Sequence, residues 1–176
     1  ESSHFDIEQP NRTVEFWYWA QDVTPSTVKA MFDGGSNADG QAIYIYNSNI
    51  YAGNYRDGNS HRAYTNYATT SQEWHHVAFV TNGASTSNTG SGSIILYHDG
   101  VKVDEETGDS AGNSGIQVDN NSNQAGLGGI YGRIRDHSGN DLKHKSPPSN
   151  SISHYFDGIL DEFRVTNSVL SADYIK

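Results

Sequence analysis

The chain has 176 residues, enough to bury a real core in one domain, and nothing in its composition suggests two. Cysteine is absent, which excludes a disulfide framework and any thiolate metal site and leaves the redox compartment open. Formal net charge is −10, from 21 acidic against 11 basic side chains, which argues against a phosphate-backbone partner, and no apolar stretch approaches the length of a membrane span.

The expectation is therefore one domain over residues 1–176, without a nucleic-acid partner and without membrane insertion. The chain opens at Glu1 with no signal-peptide pattern, and so reads as a mature fragment or an excised module. A single Met accompanies 11 Tyr, 3 Trp and 18 Gly, and aromatic and β-branched runs alternate with Gly/Asn/Asp/Ser clusters. Short strands with many turns follow, in an all-β sandwich of antiparallel sheets.

In chain order, residues 13–21 give a strand with two apolar faces. Val14, Phe16, Tyr18 and Ala20 lie on one, Trp17 and Trp19 with Glu15 on the other, so the strand should be covered on both sides. Residues 28–32 form the next strand, running into a turn-rich loop over 33–40. Residues 41–46 and 49–55 flank Asn47-Ser48 as a hairpin. Residues 74–81 and 93–97 are further strands, joined by a polar loop over 82–92. His98-Asp99-Gly100 then reverses the chain, since Asp-Gly accepts the positive φ values of a tight turn. Residues 104–124 read as a long polar connection, followed by a strand around 127–131. Residues 132–153 form an insert carrying Arg133, Arg135, Lys143 and Lys145 and broken by Pro147-Pro148. A strand over 159–165 and a short helix from Ser171 complete the chain.

Tyrosine is the densest chemical signal: six of the 11 fall between Tyr44 and Tyr67. In Ala42-Ile43-Tyr44-Ile45-Tyr46 the period of two sends the isoleucines to the core and the tyrosines to the other face. With Tyr46 opposite Tyr51, Tyr44 falls opposite Gly53, and Tyr51 and Tyr55 join the tyrosine face. This gives a band of rings on the exposed side of one sheet, with Arg56, His61, Arg62 and Tyr64 close by in sequence. Two readings stand side by side. The band is a saccharide platform, or tyrosines simply suit half-exposed strands and pack across their neighbours.

Four blocks, in order, carry a family resemblance: Thr13-Val14-Glu15-Phe16-Trp17, residues 73–80 around Trp74-His75-His76-Val77, residues 95–103 around Leu96-Tyr97-His98-Asp99-Gly100, and the run from Phe156-Asp157-Gly158-Ile159-Leu160-Asp161-Glu162-Phe163-Arg164 to Ser171. Together they make the chain resemble the laminin-G-like, concanavalin A-like jelly-roll family. That resemblance implies a two-sheet jelly roll, most often used for recognition. It also implies a structural Ca²⁺, with Asp161 as the side-chain ligand, a carbonyl at or near Gly35, and an N-terminal residue within 6–9. Hard cations want several oxygens at once. The alternative is that Asp161 pairs with a nearby cation or caps a turn. Histidine in the second block is implied to pack and hydrogen-bond, and His75 and His76, as strand neighbours, point to opposite faces and cannot chelate one ion together.

Catalysis finds little support. Glycosidases on related jelly rolls need two carboxylates bracketing the bond, whereas Asp161 and Glu162 face opposite ways and Asp104-Glu105-Glu106 reads as a solvated cluster. No Gly-x-Ser-x-Gly elbow or His-Glu-x-x-His motif occurs. The sequence thus points to a non-catalytic carbohydrate-binding module of a secreted or cell-surface protein, monomeric as an isolated domain, with a polysaccharide or glycan as ligand. A protein-interaction or adhesion domain is the second reading. A polysaccharide lyase using Tyr, His and Arg, or a hydrolase, is the third.

Overall fold

The computed structural model describes residues 10–34, 40–56, 61–84, 92–108, 125–131, 133–143 and 154–175. Among these, the strands are β1 (Arg12–Ala20), β2 (Lys29–Asp33), β3 (Gly40–Tyr46), β4 (Asn49–Arg56), β5 (His61–Ala68), β6 (Trp74–Asn82), β7 (Ser93–His98), β8 (Val101–Glu106), β9 (Gly126–Leu127), β10 (Arg133–Arg135), β11 (Asp141–Lys143) and β12 (Gly158–Thr166). They assemble into one sheet ordered β12-β1-β6-β7-β8, a second ordered β5-β4-β3-β2-β9, and a separate β10-β11 hairpin. All paired strands within the sheets run antiparallel, as the composition requires of an all-β sandwich.

The core lies between the two sheets and follows the period of two. Val14, Phe16, Tyr18 and Ala20 from β1 meet Ile43 and Ile45 from β3, Ile50 and Ala52 from β4, and Phe79 and Leu96 from β6 and β7. Phe163 of β12 bridges the layers, its ring 5.9 Å from Phe16 and 5.5 Å from Phe32. A polar link ties the sheets together at one end: Arg12 donates to Gln41 Oε1 at 3.2 Å, and Gln41 donates to Thr81 Oγ1 at 3.0 Å.

Two tight turns set the registers. Asn47 and Ser48 take φ values of 49° and 64°, and Asp99 and Gly100 take 51° and 77°, the left-handed pairs of a two-residue hairpin loop. The first loop closes as tightly as it can, so Tyr46 pairs with Asn49, Tyr44 with Tyr51 and Ala42 with Gly53. The expected Tyr46–Tyr51 pairing is thus displaced by one cross-strand pair. Because the displacement is even, the tyrosines keep their common face.

Several elements differ from the sequence reading. β5 was not anticipated, because its inward residues Ala63 and Thr65 are small and give little hydrophobic alternation. Asp104, Glu105 and Glu106 belong to β8 rather than to a loop; β8 is an edge strand, where charge is tolerated and discourages further pairing. Asp104 also accepts the Asn66 amide of β5 at 2.8 Å, closing the side of the sandwich. The strand expected over 127–131 is reduced to Gly126–Leu127. The C-terminal helix is a single turn, with the Tyr174 and Ile175 amides donating to the Ser171 carbonyl at 2.9 and 3.2 Å. The outer side of β1 is only partly covered, since Trp17 remains 39% exposed.

Candidate functional site

The outer face of the β5-β4-β3-β2 sheet presents Tyr44, Tyr46, Tyr51, Tyr55, Arg62 and Tyr64, brought to one side by the pairings Tyr44–Tyr51, Gly53–Tyr64 and Tyr55–Arg62. Gly53 is essential to that surface, because a Cβ there would lie 2.4 Å from the Tyr64 ring, which crosses β4 at this point. Arg56 and His61 pair with each other on the opposite parity, at the rim of the sheet, so they do not join the tyrosine face.

The band is not open. The β10–β11 hairpin from the insert lies over it, and Tyr44 and Tyr55 are buried with Ile130 and Ile134. Tyrosine hydroxyls fasten the roof at alternate residues. Tyr55 donates to the Arg133 carbonyl at 2.6 Å, Tyr64 donates to the Arg135 carbonyl, and Tyr44 Oη accepts the His137 amide at 2.8 Å while lying 2.9 Å from His137 Nδ1. Burial drives the Tyr44 and Tyr64 phenols well above their usual range, so both stay protonated at any physiological pH. The expected exposed platform is corrected here: three of its rings are anchors for a covering segment.

The hairpin has its own local logic. Arg133 and Asp141 form a two-pronged ion pair across it. Asp136 organises the turn, its Oδ1 accepting the Ser138 and Asn140 amides at 3.0 and 2.7 Å, and Gly139 supplies the positive φ of 87°. That turn aims His137 into the tyrosines, where its ring stacks on Tyr51 at 4.2 Å and 12° and lies 5.5 Å from Tyr46. Burial lowers the His137 pKa, with Asp136 pulling weakly the other way.

His137 thereby divides the remaining surface into two hollows. One, of about 410 Å³, is lined by Tyr51, Arg62, Tyr64, Asn66, Glu106 and His137. The other, of about 250 Å³, lies on the Tyr46 side, between Val28, Leu142 and His154. The larger collects a guanidinium, a carboxylate, an amide and aromatic groups in a volume suited to a small ligand. His137 and Asn66 were not singled out from sequence, and Glu106 was read only as part of a solvated charge cluster. The Asp136–Asn140 turn signature was readable there, but not its target.

Of the residues implied for calcium, Asp161 lies on β12 and is exposed; its Oδ1 accepts the Glu162 amide at 2.8 Å, where Glu162 takes a φ of 49° and a bulge interrupts the β1–β12 register. This is the turn-capping role weighed against metal binding. Gly35 and residues 6–9 lie outside the described residues. Asp161 is thus the one implied side-chain ligand among the described residues, and a hard cation there needs further oxygens converging on it. His76 packs as the resemblance implied, its ring 5.3 Å from Trp17 and its Nε2 3.6 Å from the buried Glu15.

Comparison with known proteins places this geometry. The laminin G pattern of the concanavalin A-like lectin/glucanases superfamily matches residues 2–176. The chain belongs to that family. Its fold is also similar to domains LG4-5 of the mouse laminin α1 chain, with a TM-score of 0.59 and 12% identity over 95% of this chain and 38% of that one. A carbohydrate-binding module, CBM40, of the Ruminococcus gnavus IT-sialidase superposes with a TM-score of 0.61 and 14% identity over 94% of this chain and 80% of that one. The binding domain of botulinum neurotoxin DC, solved in complex with SialylT, gives 0.59 and 14% over 94% and 34%. The chain thus spans little more than a third of the laminin and neurotoxin chains it resembles. No curated protein sequence matches this laminin G-like chain. Among its described residues no helix is long and apolar enough to cross a membrane.

Proposed function

We propose that the chain is a non-catalytic glycan-binding module of a secreted or cell-surface protein, holding its sugar in the groove beside the β10–β11 hairpin. The observation that carries this reading is the convergence of Arg62, Asn66, Glu106 and Tyr51 in one hollow of about 410 Å³. Guanidinium, amide and carboxylate groups match the paired hydroxyls of a pyranose, and the aromatic wall suits its apolar face. A glycosidase would need two carboxylates bracketing the bond, whereas the described lining holds one, Glu106, whose pKa is raised by burial and by Asp104. The neighbours named for carbohydrate and sialyl ligands on the same fold support the class of ligand, not its identity.

Probing a broad glycan array with the purified protein in millimolar Ca²⁺ should give selective binding, and Arg62→Ala should weaken it by about tenfold or more, equivalent to about 1.4 kcal/mol. A blank array, or full binding by the variant, would sink the reading. Calcium enters this proposal as a supporting ion with Asp161 as its one described ligand. Exhaustive chelation should then lower the melting temperature, and an unchanged value would remove the ion.

A protein-binding role is the second reading. It draws on the outer face of the other sheet, where Trp17 and Trp74 stand exposed near Ile159. Binding that soluble glycan fails to compete away would favour it.

A further inference from the structure

His75 cannot share an ion with His76, but the fold gives it another partner. His75 on β6 and His98 on β7 both point inward at the end of the first sheet, their ring centroids 4.7 Å apart. The β7–β8 turn brings Asp99 between them. Its Oδ2 lies 2.8 Å from His75 Nδ1 and 3.2 Å from His98 Nδ1, while its Oδ1 accepts the His76 amide at 2.8 Å. The three ligand atoms, one from each side chain, all lie within 4.8 Å of one another.

The hydrogen bonds around this cluster leave a charge unaccounted for. Thr70 gives its only hydroxyl proton to Glu73, so towards His75 Nε2, at 2.8 Å, it must accept. That assignment of the Thr70 proton places the His75 proton on Nε2. In a neutral imidazole Nδ1 is then a bare lone pair facing a carboxylate oxygen at 2.8 Å, an arrangement that repels unless a cation lies between them. His98 is held in the same way: its Nε2 is 2.8 Å from the Tyr18 hydroxyl, which is itself 2.5 Å from Thr69 Oγ1. If Tyr18 donates to Thr69, His98 Nε2 donates to Tyr18, and its Nδ1 also offers a lone pair.

We propose that His75 Nδ1, His98 Nδ1 and Asp99 Oδ2 form a binding site for a divalent first-row transition metal, with Zn²⁺ as the reference ion. Two imidazoles and a carboxylate are the donor set such ions favour, and nitrogen donors make it a poor calcium site. The two carboxylate–imidazole spacings, 2.8 and 3.2 Å, are close to the roughly 2.9–3.4 Å that bonds of about 2.0–2.1 Å set between adjacent ligand atoms, and the third spacing lies within 4.8 Å. Each imidazole's far nitrogen has a fixed hydrogen-bond partner, the outer shell that orients metal-binding histidines. Asp99 is half exposed, so the remaining coordination positions face solvent.

The competing occupant is a proton, which would make His75 an imidazolium. Calorimetric titration of the chelator-treated chain with ZnCl₂ separates the two. One equivalent of zinc should bind, His75→Gln and His98→Gln should each weaken binding by more than about tenfold, and His154→Gln should leave it unchanged. Histidine ¹⁵N spectra of the unmutated protein supply a readout that does not depend on a variant folding. Zinc should shift the Nδ1 signals of His75 and His98 to metal-bound positions. Zinc uptake indifferent to both substitutions, or Nδ1 signals that stay protonated in its presence, would overturn the site in favour of the proton.

Discussion

The two outer faces of the sandwich are built from the same alternation and end in opposite states. On the second sheet Tyr44 and Tyr55 are sealed, and Tyr64 partly covered, beneath a hairpin that their hydroxyls hold in place. On the first, the C-terminal segment covers only part, with Leu170 and Ile175 over Ala78, Val80 and Tyr97, while Trp17, Trp74 and Ile159 remain open. All three tryptophans of the chain lie on that uncovered side, since Trp17 and Trp19 share a face and Trp19 pairs with Trp74. An aromatic row on the outside of a sheet thus says nothing about exposure until the covering element is known. What it does say is chemical, because a phenol can both donate and accept, as Tyr44 accepts the His137 amide, whereas an indole can only donate its one N–H.

Substitutions on the two faces should therefore differ in size. Ile134→Ala, on the buried underside of the roof, should cost the most, about 2–5 kcal/mol by denaturant unfolding, because it empties a fully buried position. A loss below about 1 kcal/mol would mean that the hairpin is not packed as described. Tyr44→Phe keeps the ring and removes the hydroxyl shared with His137, and should cost roughly 1–3 kcal/mol. Tyr44→Ala would be less informative, since removal of a buried anchor tests the fold before it tests a ligand.

Acid should loosen the roof and leave the tryptophan face alone. Burial depresses the His137 pKa below its ordinary 6.5, so its stabilising contribution is complete above pH 6.5 and is lost as pH falls towards the depressed value, where the unfolded chain binds the extra proton. Asp136 opposes this in part, and Tyr44 and Tyr51 beside the ring, whose pKa values burial raises, stay neutral throughout the window. Amide exchange at Ile134 and Leu142 should rise between pH 7 and pH 5. Constant protection would mean that the hairpin is held without His137. The smallest effect is expected of Trp74→Ala, on an open surface, at no more than about 0.5 kcal/mol.

What the sequence disclosed was mainly local. The inward Ile43 and Ile45, the outward tyrosines and the Asp99-Gly100 reversal follow from a period of two and from turn stereochemistry, both written into a few consecutive residues. The roof was not legible, because residues 132–153 show no periodicity of their own and the placement of residues 133–143 depends on hydroxyls up to 93 positions away. His98 looked like part of a turn, and only the β6–β7 register brings it beside His75. Arg56 and His61 were grouped with the tyrosines by proximity in the chain, a criterion that ignores the parity of a strand.

The pairing of β1 with β12 carries a further consequence, for the order in which the protein can be made. Thr13 accepts the Leu170 amide at 3.1 Å and donates to the Ser168 carbonyl at 2.9 Å, across more than 150 residues. While a ribosome is still extending the chain, one edge of β1 has no partner, and the Phe163 ring that bridges the two layers has not yet emerged. The nascent sandwich therefore presents an open, apolar strand edge through most of its synthesis. Its vulnerability to aggregation is set by the last strand to arrive.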